Sequence, residues 1–189
     1  MNNLLTQKDD GGQTRPPSGD GVTEQYLMFS LGTDTFATRI QPIREIIEYP
    51  GMTEVPLTPG FMRGVINLRG AVVPVVDLSV RFGRTSTNIG RRTCIVIVEA
   101  QLEEGNHLVG VIVDGVTEVL EIEPEKVENR PNFGVGLRTD FIAGMINKNE
   151  QFVVALDMDR ILSTQELEAL IQDDQNAGSV TAAQPGMLQ

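Results

Sequence analysis

Few side chains in this sequence could carry out bond chemistry. Cys94 is the only cysteine and His107 the only histidine. A nucleophilic Cys–His pair is the chemistry that combination could support. Cys94, however, sits in the run Cys94-Ile-Val-Ile-Val98, where a thiol reads as a small buried hydrophobe. His107 follows the polar stretch "EEGN" and reads as a solvated residue at a strand start. One histidine cannot build a multi-histidine metal site. Asp157 and Asp159 form a D-x-D pair that could hold a metal or share acid–base work. They lead into a helix, though, and a helix N-terminus favours acids in any case. Gly134-Val-Gly136 lacks the third glycine of a dinucleotide fingerprint and follows no clear strand. The sequence has no Walker A motif and no G-x-S-x-G. These residue types point away from an enzyme and imply no cofactor; an acid-based hydrolase using Asp157 and Asp159 is the enzymatic alternative to test.

The elements that would position any site are mostly β. Tyr26–Leu31 and Thr35–Ile40 flank a Gly-Thr-Asp turn signal, which predicts a hairpin. Ile40, Ile43, Ile46 and Ile47 recur at spacings of three and four, and Pro42 suits a first turn, so a short helix is expected over 42–48. Val65–Ile66, Ala71–Val76 and Cys94–Glu99 read as strands, with Pro74 marking an edge strand or a bulge. His107–Val113 and Val116–Ile122 flank Asp114-Gly115, a short-loop hairpin signal. Phe141–Ile146 and Phe152–Leu156 form a second late hairpin through Asn147–Glu150. Ser163-Thr-Gln-Glu166 has capping-box spacing ahead of Leu167, Leu170 and Ile171, which predicts a C-terminal helix. About ten short strands with few helices indicate barrels or a sandwich rather than a parallel sheet with crossovers. No repeat at solenoid period is visible.

Composition bounds the function classes. The chain has 189 residues, 40% of them apolar, and no tryptophan, so its core must be aliphatic. A formal charge of −11 argues against coating nucleic acid or an anionic membrane, both of which call for positive charge. Residues 1–24 and 173–189 are rich in Gly, Pro, Asp, Ser and Gln and read as a disordered leader and tail around a folded part. No basic and apolar signal segment opens the chain, and no apolar run reaches the ~18 residues a membrane span requires. A cytoplasmic protein without direct membrane insertion is expected. From Arg63 to Arg92 there are six arginines and one acid; from Glu99 to Glu128 there are nine acids and one lysine. Such blocks suit either two faces made for different neighbours or a scattering of charge by the fold.

The most distinctive stretch is "GVINLRGAVVPVVDLSVRFG". It resembles the signature of the CheW-type chemotaxis coupling proteins, a G-V-x-N-L-R-G core followed by apolar residues, Pro and Asp-Leu. "YLMFSLGTDTFATRIQPIREIIE", "VGVIVDGVTEVLEI" and "FVVALDMDRIL" agree in order, so the resemblance runs from about 25 to 172. It implies a mainly β fold of two SH3-like five-stranded β-barrel subdomains sharing a core, with short helices including a C-terminal one. It also implies a non-enzymatic, stand-alone scaffold recruited to membrane-associated receptor arrays. The partners implied are the signalling tip of a chemoreceptor, the regulatory domain of the CheA-type histidine kinase, and other copies of the coupler in rings.

By position, the resemblance implies a receptor groove lined by Leu27, Ile40, Ile43, Ile46 and Val116, with Glu45 and Arg69 as polar contacts at its edge. Asn67 and Gly70 would shape the turn that presents Arg69, Gly70 by supplying a positive φ. An aliphatic groove can take the apolar side chains of a helical hairpin, and a guanidinium fork can reach carbonyls or carboxylates on it. Thr38-Arg39 and the lengthened "QLEEGNH" turn depart from the family pattern, which leaves the receptor and the pathway open, motility, pilus movement and surface sensing included. A ligand-binding β-barrel acting as a sensor module is the alternative from another class.

Overall fold

Alternation in steps of two, rather than helical spacing, organises this chain. The computed structural model describes residues 23–102, 105–130, 139–163 and 165. The expected tail, most of the expected leader, Gly134-Val-Gly136 and the helix expected through Leu167–Ile171 lie outside these residues. The described part is mainly β, with eleven strands in two sheets. The strands are β1 Glu24–Leu31, β2 Asp34–Arg39, β3 Ile43–Glu48, β4 Met62–Leu68, β5 Ala71–Asp77, β6 Cys94–Leu102, β7 Gly105–Val113, β8 Gly115–Ile122, β9 Val127–Glu128, β10 Ile142–Lys148 and β11 Gln151–Leu156. Two short helices follow β5 and β11: α1 Leu78–Arg81 and α2 Met158–Leu162.

One sheet runs β8-β1-β2-β11-β10-β9 and the other β3-β6-β7-β5-β4. The second takes the consecutive strands β3 to β7, whereas the first takes its strands from either side of that stretch. The opening hairpin β1–β2 joins the closing strands through a parallel pairing of β2 with β11. The middle hairpin β6–β7 joins β5 through a parallel pairing with β7. Each sheet packs its own apolar cluster, around Tyr26, Met28 and Ile146 in one and Ile66, Ile95 and Ile112 in the other. A third cluster lies between them and takes Leu27, Phe29 and Leu31 from one sheet and Val96, Val98 and Val111 from the other. These are the two subdomains on a shared core that the resemblance implied.

A repeat links the subdomains at a spacing far from any solenoid period. Gly64-Val-Ile-Asn67 and Asp77 are matched 80 positions on by Gly144-Met-Ile-Asn147 and Asp157. The backbone repeats too. Both β4–β5 and β10–β11 shift register at the first glycine, and Asp77 and Asp157 each donate N–H to the carbonyl of a phenylalanine, Phe61 and Phe141, at 2.8 Å. Each then caps a helix with its carboxylate. Gly64, at φ 143°, is obligatory: a Cβ there would lie 2.2 Å from the Thr53 carbonyl oxygen, where Thr53 and Val65 exchange two backbone hydrogen bonds.

Three expectations are corrected. Residues 43–48 are a strand, not a helix: Ile43, Glu45 and Ile47 are half-buried while Arg44, Ile46 and Glu48 are exposed, and the strand pairs with β6. Spacings of three and four fit either element over so few residues, and β-branched isoleucine favours the strand. Asp114-Gly115 joins no hairpin, because β7 and β8 belong to different sheets. Neither residue takes the positive φ a tight hairpin loop needs; instead the chain crosses between sheets, and Asp114 donates N–H to the Ser30 carbonyl. Pro74 lies on an inner strand rather than an edge, in a ladder with β4 that is bulged at Gly64. It is tolerated because pairing with β7 starts one residue later, at Val75.

Asp77 is fully buried and accepts hydrogen bonds from Ser79 N, Thr87 N and Thr87 Oγ1 at 2.9–3.0 Å, with Arg63 at 3.4 Å. One carboxylate thus ends β5, starts α1 and pins the chain ahead of β6. Asp77→Ala strands these donors and is expected to lower stability by about 3 kcal/mol in urea unfolding. Asp157→Ala, at the half-buried counterpart, is expected to cost about 1 kcal/mol.

Candidate functional site

The β4–β5 hairpin closes through Arg69-Gly70, with Leu68 paired to Ala71. Both turn residues are left-handed, at φ 52° and 93°, as a type I′ turn requires. Gly70 adopts that geometry freely. Arg69 does so at a cost of about 1–2 kcal/mol. The Asn67 side-chain carbonyl accepts the Gly70 N–H at 2.8 Å and holds the turn shut.

From that tip the Arg69 guanidinium donates two parallel hydrogen bonds to the Glu45 carboxylate, each 2.8 Å. Glu45 is on β3 and Arg69 follows β4, and these strands are the two outer strands of the five-stranded sheet. The pair therefore spans the ends of the sheet order. The Arg69 side chain is 78% exposed and that of Glu45 24%. A bidentate pair this open contributes about 0–1 kcal/mol, so what it chiefly does is orient the guanidinium.

The apolar residues expected beside this pair divide by depth. Leu27 is only 1% exposed and belongs to the cluster between the sheets; it offers no side-chain surface, which corrects its expected place in a groove lining. Ile43 and Val116 are half-buried against that same cluster. Ile40 is half-buried in the β2–β3 connection, where its carbonyl accepts the Ile43 N–H at 2.9 Å. Ile46 is 43% exposed. A register shift between Ile43 and Glu45 sets the facing: Ile43 pairs with Val98 and Ile46 with Val96, both in the cluster between the sheets. Cross-strand partners share a face, so Ile43 and Ile46 point the same way. Glu45 pairs with Ile97 and faces the opposite way. The site is an apolar strip on one face of an edge strand and a charged pair on the other.

Comparison with known proteins gives this arrangement a family. Residues 25–166 match the CheW-like domain. The chain belongs to that family. It is 33% identical to the chemotaxis protein CheW of Klebsiella aerogenes over 150 residues, covering 79% of this chain and 88% of that protein. It is 29% identical to the probable chemotaxis protein CheW of Rhizobium etli, with 77% and 91% covered. The scaffolding protein TtCheW of Thermoanaerobacter tengcongensis superimposes with a TM-score of 0.66 at 28% identity, covering 76% of this chain and 90% of that one.

The candidate chemical residues of this CheW-like domain are occupied structurally. Cys94 is buried, and burial pushes its thiol pKa up, away from nucleophilic use. The Asp157 carboxylate accepts the Arg160 N–H at the start of α2, and Asp159 accepts the Gln101 N–H at 3.1 Å. His107 is half-buried in β7, opposite Ala100. The basic and acidic blocks are scattered: Arg69 pairs with Glu45, Arg84 with Asp34, Arg63 with Asp77 and Lys148 with Glu118. The last is the repeat's counterpart of the Arg69–Glu45 pair, again joining a hairpin tip to an edge strand. Sequence reasoning missed it, although Glu118-Val-Leu-Glu121 echoes Glu45-Ile-Ile-Glu48.

The tip geometry makes two expectations that can be measured by thermal and urea unfolding. Arg69→Gly is expected to be at least as stable as the parent, gaining up to about 1 kcal/mol from relief of the left-handed arginine. Glu45→Gln is expected to change stability by less than about 1 kcal/mol.

Proposed function

We infer that this chain is a coupling scaffold that joins the cytoplasmic tips of chemoreceptors to a CheA-type histidine kinase and turns over no substrate of its own. Its membership of the CheW-like family supports the role. The observation that carries it is an arginine in a backbone conformation it disfavours, at an exposed hairpin tip, whose guanidinium is oriented by a pair that adds little stability. Strain retained at a surface position with no stabilising return is a mark of a contact residue.

The receptor tip docks its apolar side chains along Ile40, Ile43, Ile46 and Val116, above the buried floor that Leu27 provides. Arg69 and Glu45 meet its polar groups from the other side of β3. Burying one Leu-sized side chain in such a strip is worth about 1.5–3 kcal/mol before the costs of association. The bidentate fork of Arg69 adds direction rather than much affinity. The kinase regulatory domain, and further copies of the coupler in rings, contact other outer surfaces. The chain works on the cytoplasmic side of the array; no helix among the described residues is long and apolar enough to cross a membrane.

Pull-down by immobilised receptor signalling tips tests the receptor half of this reading. Arg69→Glu is expected to weaken capture at least tenfold, about 1.4 kcal/mol, with circular dichroism and unfolding midpoint near the parent's. Ile46→Asp, at a residue already exposed, is expected to do the same without loss of stability. Undiminished capture by both variants would remove the site from the receptor interface.

A further inference from the structure

A second concave site lies apart from the Glu45–Arg69 pair and shares no residue with it. It is a cleft of about 430 Å³ whose described lining comes from β2, from α1 and the residues after it, from the approach to β10, and from α2. Its walls are phenyl rings. Phe36 and Phe82 stand 6.0 Å apart and Phe82 and Phe141 5.3 Å apart, the latter pair stacked at 26°. The file continues inward from Phe36 to the buried Phe29 at 6.1 Å. The sequence contains seven phenylalanines and no tryptophan. Four of the seven stand in this one file, and the outer three remain only half-buried at the cleft. Large aromatic rings are normally spent on closing a core, so a partly open file of them leaves stacking surface unused.

The rim is rich in guanidinium groups in a chain of net charge −11. Arg81, Arg84 and Arg160 line the cleft, against one carboxylate, Asp140. Two of these guanidiniums are each held in place by two neighbours. Arg84 donates to the Leu31 carbonyl at 3.2 Å and to Asp34 at 2.6 Å, and lies 5.7 Å from the centre of the Phe36 ring. Arg160 donates to the Asp140 carbonyl at 3.2 Å and pairs with Asp157 at 3.2 Å. Arg81 is fixed over the Phe61 ring at 4.8 Å and donates to the Ile161 carbonyl at 3.4 Å. A guanidinium carries five N–H donors, so these anchors orient Arg84 and Arg160 without using all their donors.

From this arrangement we propose that the cleft binds a small planar aromatic anion. The ring stacks against the Phe82–Phe141 tier, and its carboxylate or phosphate accepts hydrogen bonds from the rim guanidiniums. The volume falls within the range of small-molecule sites. Aromatic walls with fixed guanidiniums match both halves of such a ligand at once. The cleft draws on both halves of the repeat, α1 and α2 included, so an occupant would bear on how the two subdomains sit together. This inference is independent of the receptor interface and goes beyond it.

The test is amide-resolved NMR titration of the full chain with three probes of matched shape: 2-naphthoate, 2-naphthyl phosphate and the neutral 2-naphthamide. At least one anion is expected to give saturable shifts centred on the amides of residues 82, 84, 141 and 161, with a midpoint of about 1 mM or below. The neutral amide is expected to bind at least fivefold more weakly. The double variant R84Q/R160Q, whose spectrum away from the cleft reports that it is folded, is expected to lose the anion preference. The proposal is overturned if neither anion gives saturable shifts at those amides, if the neutral probe binds as well as the anions, or if the folded double variant keeps the preference.

Discussion

Two parallel strand pairings hold this molecule in its shape, β2 with β11 and β5 with β7. Each joins a hairpin from one half of the chain to a strand from the other. Because β1–β2 lies in the sheet completed by β8–β11, and β6–β7 in the sheet with β3–β5, neither half contains the partners for its own hairpin. The aliphatic cluster between the sheets exists only once both exchanges are made. Its members come from β1, β6 and β7, from the ends of β4, β5 and β11, and from α1 and α2. That constraint gives a chain without tryptophan a continuous core, and it fixes the seam at which Phe36, Phe82 and Phe141 meet.

Much of the β framework was legible because it is local. The β1–β2 hairpin declares itself through Gly32, which takes φ 62°. The Arg69-Gly70 turn declares itself through Asn67 and Gly70, whose side-chain and backbone freedoms the turn uses directly. The late hairpin was visible too, although its turn places two non-glycine residues, Asn149 and Glu150, at positive φ. What local pattern misjudged depended on partners far away. Ile43, Ile46 and Ile47 fit a helix until β6 supplies a pairing edge. Asp114-Gly115 fits a hairpin until Ser30 captures the chain for another sheet. Leu27 fits a groove wall until the second sheet covers it. The aromatic cleft was not legible at all, since four separated segments build it and none carries a motif.

The charged residues follow the same logic. Runs of like sign along the chain suited either opposed faces or a scattering of charge, and the fold distributes several of them into pairs with partners on other strands. Most such pairs are open to solvent and contribute little to stability. Asp77 is the exception. It is buried, saturated with donors, and set where strand, helix and connecting loop meet. Its counterpart Asp157 does the same capping task half in solvent. The repeat preserved the backbone device and let the surroundings diverge, which is how one copy of a turn carries Arg69 and the other Asn149.

The placement of the first hairpin has a consequence for biosynthesis. Phe36 finds its partner in Val154, 118 positions further on. At a translation speed of roughly 5–20 residues per second, that leaves β2 with one bare edge for about 6–24 s after it leaves the ribosome. Hairpins close within microseconds, so β1 and β2 will have met long before, presenting a finished but unclaimed ribbon. The nascent chain therefore passes through a period in which sticky backbone is on offer to any neighbour, and a chaperone that shields it would act on β1 and β2 and let go only when β11 arrives.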